Sequence, residues 1–547
     1  MRIALAQVNP TVGALASNRA LVEDAAAKAA EEGAQLVVLP EMVLTGYPPM
    51  DLLEREGFVR DQLRELDALA PISRRVAIVL GAVVPCPSGR PKQLANAAVL
   101  LADGAQRALQ AKSLLPTYDV FDENRYFAPA VLREPCAIGE GGELLGLTVC
   151  EDLLGEVPYG VHPAAELAEA NASIILNPSA SPWHVGKALE RRVLLAGLSA
   201  EIQRPVVFVN QVGGNDGLIF DGGSFVTDAA GRIQASLALF EPAFCIVDLP
   251  VDAPGIEPQA VEEPGRIEQL EDGLVLGIRD YFLKQDLPPG AVVGLSGGID
   301  SAVTAHLAVR ALGAERVCGV AMPGPFSSEH SIEDALSLGR NLGIEVRSVD
   351  IRPIYRAYRL VFESLFGARD DYGITQQNIQ SRIRGAVLMA ISNQERRLVL
   401  ATGNKSELSV GYCTLYGDTV GGLAVLGDVY KHDVYALARY ANRQREIIPA
   451  RSIDKAPSAE LAPDQLDSDD LPPYEVLDLL LEQAIEEGRD ASKLEPPAGS
   501  TRETALAVIR RLNRNEYKRR QMPLVLRTSP KAFGSGRRLP IVHRYET

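Results

Sequence analysis

The sequence predicts an α/β protein in two successive halves. Layered α/β packing with some antiparallel strand pairs comes first, and a doubly wound parallel sheet follows. Three observations carry that expectation. Through residues 1–250, short β-branched runs alternate with Ala-rich stretches of helical period. The segment 250–264 then holds four prolines, several acids and little periodicity, the composition of an interdomain linker. Beyond it the alternation restarts with a helix, a strand, a Gly-rich turn and a second helix. The division is therefore a first domain over 1–250, a linker over 251–264 and a second domain over 265–547.

In the first half, β-branched and aromatic residues concentrate at Arg2–Gln7, Leu36–Leu39, Val76–Val84, Ala97–Leu101, Glu143–Val149, Ser173–Leu176, Val206–Asn210, Gly223–Thr227 and Ala243–Asp248, which read as strands. Asn18–Glu32 and Lys187–Gln203 carry apolar residues at helical spacing. In the second half a helix ending at Leu283 leads to a strand at Ala291–Leu295. Further strands follow at Val317–Ala321, Glu345–Val349 and Leu398–Ala401. The Asp-, Ser- and Pro-rich stretch Ala456–Leu471 reads as an exposed, mobile loop.

Bulk properties exclude several classes. A chain of 547 residues is too long for one hydrophobic core, and 46% hydrophobic with 23% charged residues is the balance of an ordered globular protein. A formal charge of −16, with no basic cluster denser than Lys518-Arg519-Arg520, argues against a nucleic-acid partner. No apolar run reaches the ~18 residues of a membrane span. Six cysteines without CxxC spacing, and no leader-like pattern after Met1, point to a reducing cytoplasm.

Three polar residues stand where a plain core strand would not place them. Glu41 follows the apolar run Val37-Val38-Leu39-Pro40, Lys112 follows a strand and turn, and Cys150 ends Leu145-Gly-Leu-Thr-Val149. Each lies at or just past a strand end, the edge on which open α/β folds assemble sites. A thiol nucleophile needs a base for its proton, and an oxyanion needs a cation or N–H donors. Taken singly, each has a bland alternative: a buried inert thiol, or a solvated loop charge. Together, Leu-Pro-Glu41-Met-Val-Leu-Thr-Gly-Tyr-Pro, Ala-Lys112-Ser-Leu-Leu-Pro-Thr-Tyr and Thr-Val-Cys150-Glu-Asp resemble the three catalytic segments of the nitrilase, or carbon–nitrogen hydrolase, family. The resemblance covers nearly all of residues 1–250. It implies an α-β-β-α sandwich and amide cleavage through a thioester, with Cys150 as nucleophile, Glu41 as general base and Lys112 as stabiliser of the tetrahedral intermediate. Glu123, in Phe-Asp-Glu-Asn-Arg-Tyr-Phe, falls where the family often has a second glutamate; a loop partner for Arg125 is the alternative. Tyr118, Ser181 and Lys187 fall where glutamine-using branches hold the substrate. Lysine at 187 keeps the charge of the expected arginine but loses its fork. Trp183 either lines this pocket or packs.

In the second half, Gly294-Leu295-Ser296-Gly297-Gly298-Ile299-Asp300-Ser301 joins a strand to a helix N-terminus through a tight turn, a layout that lets backbone N–H groups approach phosphate. No Gly-Lys-Ser/Thr is present, so it is not a Walker loop. It resembles the pyrophosphate loop of the N-type ATP pyrophosphatases, which adenylate a substrate oxygen. Gln376-Gln-Asn378-Ile-Gln-Ser-Arg382-Ile-Arg384, Leu400-Ala-Thr402-Gly-Asn404-Lys405-Ser-Glu407 and Leu415-Tyr416-Gly417-Asp418, the last ahead of Asp428-Val-Tyr-Lys431, are similar to the NAD⁺ synthetase pattern over roughly 265–525. That resemblance implies that the loop and Thr402 touch ATP, and that Asn378, Arg382, Glu407 and Lys518 contact deamido-NAD. Asp300 and Glu407 are then the Mg²⁺ carboxylates. The substrates implied are glutamine, deamido-NAD and ATP, with a homo-oligomer built around the second half. Two alternatives stay open: an amidotransferase of the same ATP class acting on another acceptor, and an amidase carrying a non-catalytic ATP-binding module.

Overall fold

The computed structural model describes residues 1–86, 94–138, 142–153, 160–249, 264–287 and 290–545. Apart from Pro264, the expected linker lies outside the described residues. The chain forms two compact units, Met1–Pro264 and Gly265–Thr547.

The first unit is built on two mixed six-stranded sheets. One contains β1 (Arg2–Gln7), β2 (Leu36–Val38), β3 (Ala77–Pro85), β4 (Leu94–Ala102) and β5 (Ala105–Ala111). The other contains β6 (Cys136–Ala137), β7 (Leu144–Leu147), β8 (Ile174–Ser179) and β9 (Val206–Asn210). A hairpin of β10 (Val212–Asn215) and β11 (Leu218–Asp221) stands apart. β12 (Phe225–Thr227) and β13 (Ile233–Ser236) complete the second sheet, and β14 (Ala243–Asp248) completes the first. The orders are β14-β1-β2-β3-β4-β5 and β13-β12-β9-β8-β7-β6. In each, the central strands run parallel and the outer ones antiparallel.

Strand alternation divides the apolar residues between two cores. Ile3, Leu5, Leu36 and Val38 pack against Leu145, Leu147, Ile174 and Leu176 between the sheets. Ala4, Ala6, Val37 and Leu39 face the outer helices, with Val22, Ala26 and Leu66. Because both faces of β1 and β2 are covered, their sequences read as unbroken apolar runs. Leu167 and Leu195 cover the second sheet through Ile175, Val206 and Phe208. The result is the α-β-β-α sandwich.

The second unit is a parallel sheet of β15 (Ala291–Leu295), β16 (Val317–Ala321), β17 (Glu345–Ser348), β18 (Leu398–Ala401), β19 (Leu423–Ala424) and β20 (Leu524–Val525), in the order β17-β16-β15-β18-β19-β20. The order reverses between β15 and β18. In doubly wound sheets the crevice for a ligand opens at the carboxyl ends of the strands flanking such a reversal. The Gly-rich turn after β15 and the Thr402 turn after β18 both lie there.

Candidate active sites

In the first unit the three separated segments converge on one buried cluster. Glu41 is 0% exposed and Lys112 1% exposed. The Lys112 ammonium donates to Glu41 Oε1 at 2.9 Å and to Glu123 Oε1 at 2.8 Å. Asn96 donates to Glu41 at 2.6 Å, the Ala180 N–H donates to Glu41 Oε2 at 2.9 Å, and Tyr47 donates to Glu123 at 2.8 Å. Glu123 therefore belongs to this cluster, while Arg125 lies toward Asp51 and Glu54 instead. Gly81 on β3 makes the approach of Glu41 possible. A Cβ there would meet Met42 N at 2.3 Å and Glu41 Cα at 2.4 Å.

Cys150 begins a short 3-10 turn after β7 and adopts φ 43°, a left-handed conformation uncommon outside glycine. Burial raises its thiol pKa well above the ordinary value. Glu41 adds to the rise, and Lys112 opposes it. The resting thiol is therefore protonated and depends on a base. Burial works against the Lys112 charge, but Glu123 and Glu41 outweigh it and hold the ammonium charged. Burial raises the Glu123 carboxyl to about 7, against the pull of Lys112.

Tyr118 donates to Glu151 Oε1 at 2.8 Å. The Ser181 N–H is held by Asn210 Oδ1 at 2.8 Å, and Lys187 reaches Glu190 at 3.2 Å. Glu151, directly after Cys150, is not among the residues that the sequence singles out. Its signal was adjacency to Cys150, which a solvated acid would share. Trp183 is fully buried and packs edge-on against Phe240 at 5.2 Å.

In the second unit, a cavity of about 280 Å³ is lined by Gly294, Leu295, Ser296, Gly298, Ile299, Asp300, Ser301, Thr402 and Glu407. Gly297 has φ 79°, and a Cβ there would meet Ser331 O at 2.3 Å, so the turn requires glycine twice over. The Ser301 hydroxyl donates to Gly298 O at 3.0 Å. The helix Ile299–Leu312 begins without a side-chain cap, leaving its first N–H groups open to an anion.

Asp300 and Glu407 share one buried cation. Lys431 Nζ lies 2.5 Å from Asp300 Oδ2 and 3.3 Å from Glu407 Oε1, and Asn404 donates to Asp300 at 2.8 Å. Glu407 also closes a capping box with Asn404. Burial, then the neighbouring Asp300, raises the Glu407 carboxyl to about 8, while Lys431 opposes the rise. Two adjacent carboxylates are the donor set a hard cation on phosphate takes, the rest being phosphate oxygen and water. Among the described residues no group of three or more His, Cys, Asp or Glu is placed to hold a metal ion.

Asn378 accepts from Thr414 at 2.9 Å, and Lys518 donates to the carbonyls of Gly411 and Cys413 at 2.7 and 2.8 Å. Both thus brace the 411–418 loop, of which Tyr412, Cys413, Gly417 and Asp418 line the cavity. Arg382 is exposed and donates to Leu415 O at 3.2 Å. Two residues on, Arg384 lines the cavity instead and donates to Met322 O at 3.1 Å. Sequence reasoning gave no role to Arg384 or Lys431, although both closed motifs it had picked out. The stretch expected as an exposed loop, 456–471, is exposed only in part. Ala456–Leu461 and Asp467 line the cavity, and Glu460 accepts from Ser328, Ser331 and Lys455. Glu460 and Asp467 are thus held by protein partners, Asp467 through Tyr412 and Tyr474, while Asp464, Ser468, Asp469 and Asp470 are exposed.

Comparison with known proteins agrees with both halves. The carbon-nitrogen hydrolase family model matches residues 2–253 and the NAD synthase family model residues 271–522. The glutamine-dependent NAD(+) synthetase of Synechocystis sp. is 43% identical over 99% of both chains. That of Thermotoga maritima is 39% identical over 100% of this chain and 99% of its own. The solved glutamine-dependent NAD⁺ synthetase of Acinetobacter baumannii, in complex with ADP, is 36% identical and superposes with a TM-score of 0.78 over 99% of this chain and 98% of its own. Two catalytic-type clusters, each on the fold its chemistry uses, and end-to-end likeness to these relatives give one conclusion: the chain belongs to the glutamine-dependent NAD⁺ synthetase family, whose reaction is an ATP-dependent amidation.

Proposed function

We propose that the first unit, up to about residue 250, releases ammonia from glutamine, and that the second uses it to amidate deamido-NAD to NAD⁺ at the expense of ATP. The observation that carries this reading is that Glu41, Lys112, Glu123 and Cys150, distant in sequence, meet in one buried cluster with a protonated thiol beside a base.

Glu41 takes the Cys150 proton as sulfur attacks the glutamine amide carbon. The Lys112 ammonium receives the charge that develops on the amide oxygen. Glu41 returns the proton to the leaving nitrogen, and ammonia departs from a thioester. Water, activated by Glu41, then releases glutamate. Glu151 with Tyr118 suits the substrate ammonium, and Lys187 with Ser181 suits its carboxylate.

In the second unit the nicotinate carboxylate attacks the α-phosphorus of ATP, and pyrophosphate leaves into the Ser296–Ser301 turn. Ammonia then displaces AMP from the acyl-adenylate. Thr402 and Lys431 contact ATP on this reading. Arg384, half-buried and without a salt bridge among the described residues, takes an anionic group of the bound substrates. Mg²⁺, held by Asp300 and Glu407, would supply charge neutralisation on the polyphosphate. Asn378 and Lys518 act by bracing the 411–418 loop on the deamido-NAD side.

The thiol nucleophile favours a reducing cytoplasm, since oxidation would silence it. A homo-oligomer of at least two chains rests on the helix Arg352–Phe366, where Leu360 and Leu365 are 67% and 66% exposed alongside Val361 and Phe366. No helix among the described residues is long and apolar enough to cross a membrane.

Cys150→Ala tests the two-site reading. It should abolish NAD⁺ formation from glutamine and leave formation from high ammonium within about threefold. Loss of both, with the fold intact, would refute it.

A further inference from the structure

The carboxylate of Asp152 takes no part in the chemistry above, yet it touches both catalytic segments. It is 2% exposed. Oδ1 accepts the backbone N–H groups of Ser113 and Leu114, each at 2.9 Å, and Oδ2 accepts that of Val149 at 3.1 Å. Ser113 directly follows Lys112, and Val149 directly precedes Cys150. These segments arrive from different sheets: Lys112 from the end of β5 in the first, Cys150 from the turn after β7 in the second. Apolar side chains such as Leu5, Val38, Leu147 and Leu176 pack between the sheets beside a few hydrogen bonds such as that of Ala180 N–H to Glu41 Oε2, and apolar packing fixes area but not register to a fraction of an ångström. Directional bonds to a single rigid group do fix it.

We propose that Asp152 is a positioning residue of the glutamine-cleaving site, a three-point clamp that sets the separation between the Lys112 ammonium and the Cys150 thiol. The proposal rests on the reading that Glu41, Lys112 and Cys150 cleave glutamine. An ionised carboxylate is suited to this because it only accepts, with two oxygens and about four lone-pair sites. An amide of the same shape is not. In asparagine one oxygen becomes an NH₂ donor, and it must face either Val149 N–H or the pair from Ser113 and Leu114. Whichever way it flips, one catalytic segment loses its anchor. Burial raises the Asp152 carboxyl to about 6, and the backbone N–H groups oppose the rise. The clamp is therefore charged at neutral pH.

The experiment is Asp152→Asn in the full-length chain, assayed for glutamine hydrolysis and for ammonium-dependent NAD⁺ formation. A displacement of about 1 Å in such a site costs on the order of 100-fold in rate, so kcat for glutamine should fall by that order. KM for glutamine should change much less than kcat, since Ser181 and Lys187 lie on another segment and only Glu151 and Tyr118 would shift with the clamped ones. Ammonium-dependent synthesis should stay within about threefold of the parent. Alkylation of Cys150 by iodoacetamide, followed by mass spectrometry, gives a second readout. Lys112 lowers the thiol pKa, so separating the two should move the pH profile of alkylation upward. An unchanged kcat and alkylation profile would overturn the proposal. So would a fall in ammonium-dependent synthesis equal to the fall in glutamine hydrolysis, which would mark a general folding role. Should Asp152→Asn yield no folded protein, Asp152→Glu carries the same test, keeping the charge but moving it by one methylene. Retention of glutamine-dependent synthesis by Cys150→Ala would instead sink the underlying amidase reading.

Discussion

Gly81→Ala is the most economical test of how Glu41, the proposed base of glutamine cleavage, is held. The new Cβ would sit 2.3 Å from Met42 N and 2.4 Å from Glu41 Cα, both backbone atoms. Ordinary carbon contacts lie at about 3.5–4.0 Å, so the Glu41 segment must retreat by about 1 Å, or β3 must bow by as much. β3 is hydrogen-bonded on both sides, to β2 and β4, so the Glu41 turn should yield. Glu41 then slips relative to Asn96, Lys112 and the thiol. A misplacement of that size costs on the order of 100-fold, equivalent to about 2.7 kcal/mol in the barrier. Overpacking adds about 1–3 kcal/mol of lost stability. The assay compares NAD⁺ formation from glutamine and from ammonium at a temperature where circular dichroism shows both proteins folded. Glutamine-dependent activity within about threefold of the parent would refute the claim that this contact places the base.

Three further outcomes follow from the same geometry. Asp300→Asn and Glu407→Gln should each collapse ATP-dependent pyrophosphate release by at least about 100-fold while glutamine hydrolysis survives; near-normal NAD⁺ formation by either would remove that residue from the ATP site. Glu123→Gln should become relatively more stable as pH rises. Burial raises the folded carboxyl from 4.5 to about 7, so its contribution is intact below the unfolded value and lost as pH climbs through the folded one, on the order of 3 kcal/mol in all. Calorimetry at pH 5 and pH 8 checks this, and a melting-temperature difference independent of pH would contradict it. Replacing Leu360 and Leu365 together with Glu should shift the chain toward monomer in sedimentation velocity, and an unchanged sedimentation coefficient would clear that face of any role in assembly.

Legibility of the fold in the sequence tracked how long and how apolar each element is. Arg2–Gln7, Val206–Asn210 and Ala243–Asp248 match their expected bounds residue for residue, because they are long, β-rich and bounded by turn signals. β5 escaped because Ala-Gln-Arg-Ala-Leu-Gln-Ala has no β-branched residue and suits a helix by propensity. What makes it a strand is the Asp103-Gly104 turn, with φ 53° and 81°, which folds it back on β4. β19 and β20 are two residues each, too short to carry a period, and the sheet recruits them through pairing across a hundred residues. In the first site, Glu41 and Cys150 were readable because each follows a recognisable strand in a distinctive local sequence, and Lys112 by its local sequence alone, the strand before it having escaped. Asn96, inside β4, and Tyr47, in the segment after β2, were not, since a polar residue at such a place acquires meaning only from what lies opposite. The two arginines at 382 and 384 show the same limit. On a helix they point about 200° apart, and only tertiary packing says which one faces the cavity.

The pairing of β1 with β14 has a consequence for biogenesis. Arg2 lies opposite Asp248, and Gln7 opposite Ala243, so a strand made early in this unit waits for one made late. Until then one edge of β1 offers unpaired N–H and C=O groups, the kind of surface that recruits other nascent chains. Closing so long a loop is slow but adds only logarithmically to the entropy cost. The glutaminase half is therefore expected to fold late relative to its own translation, and chains interrupted before residue 243 should aggregate rather than accumulate as a smaller active amidase.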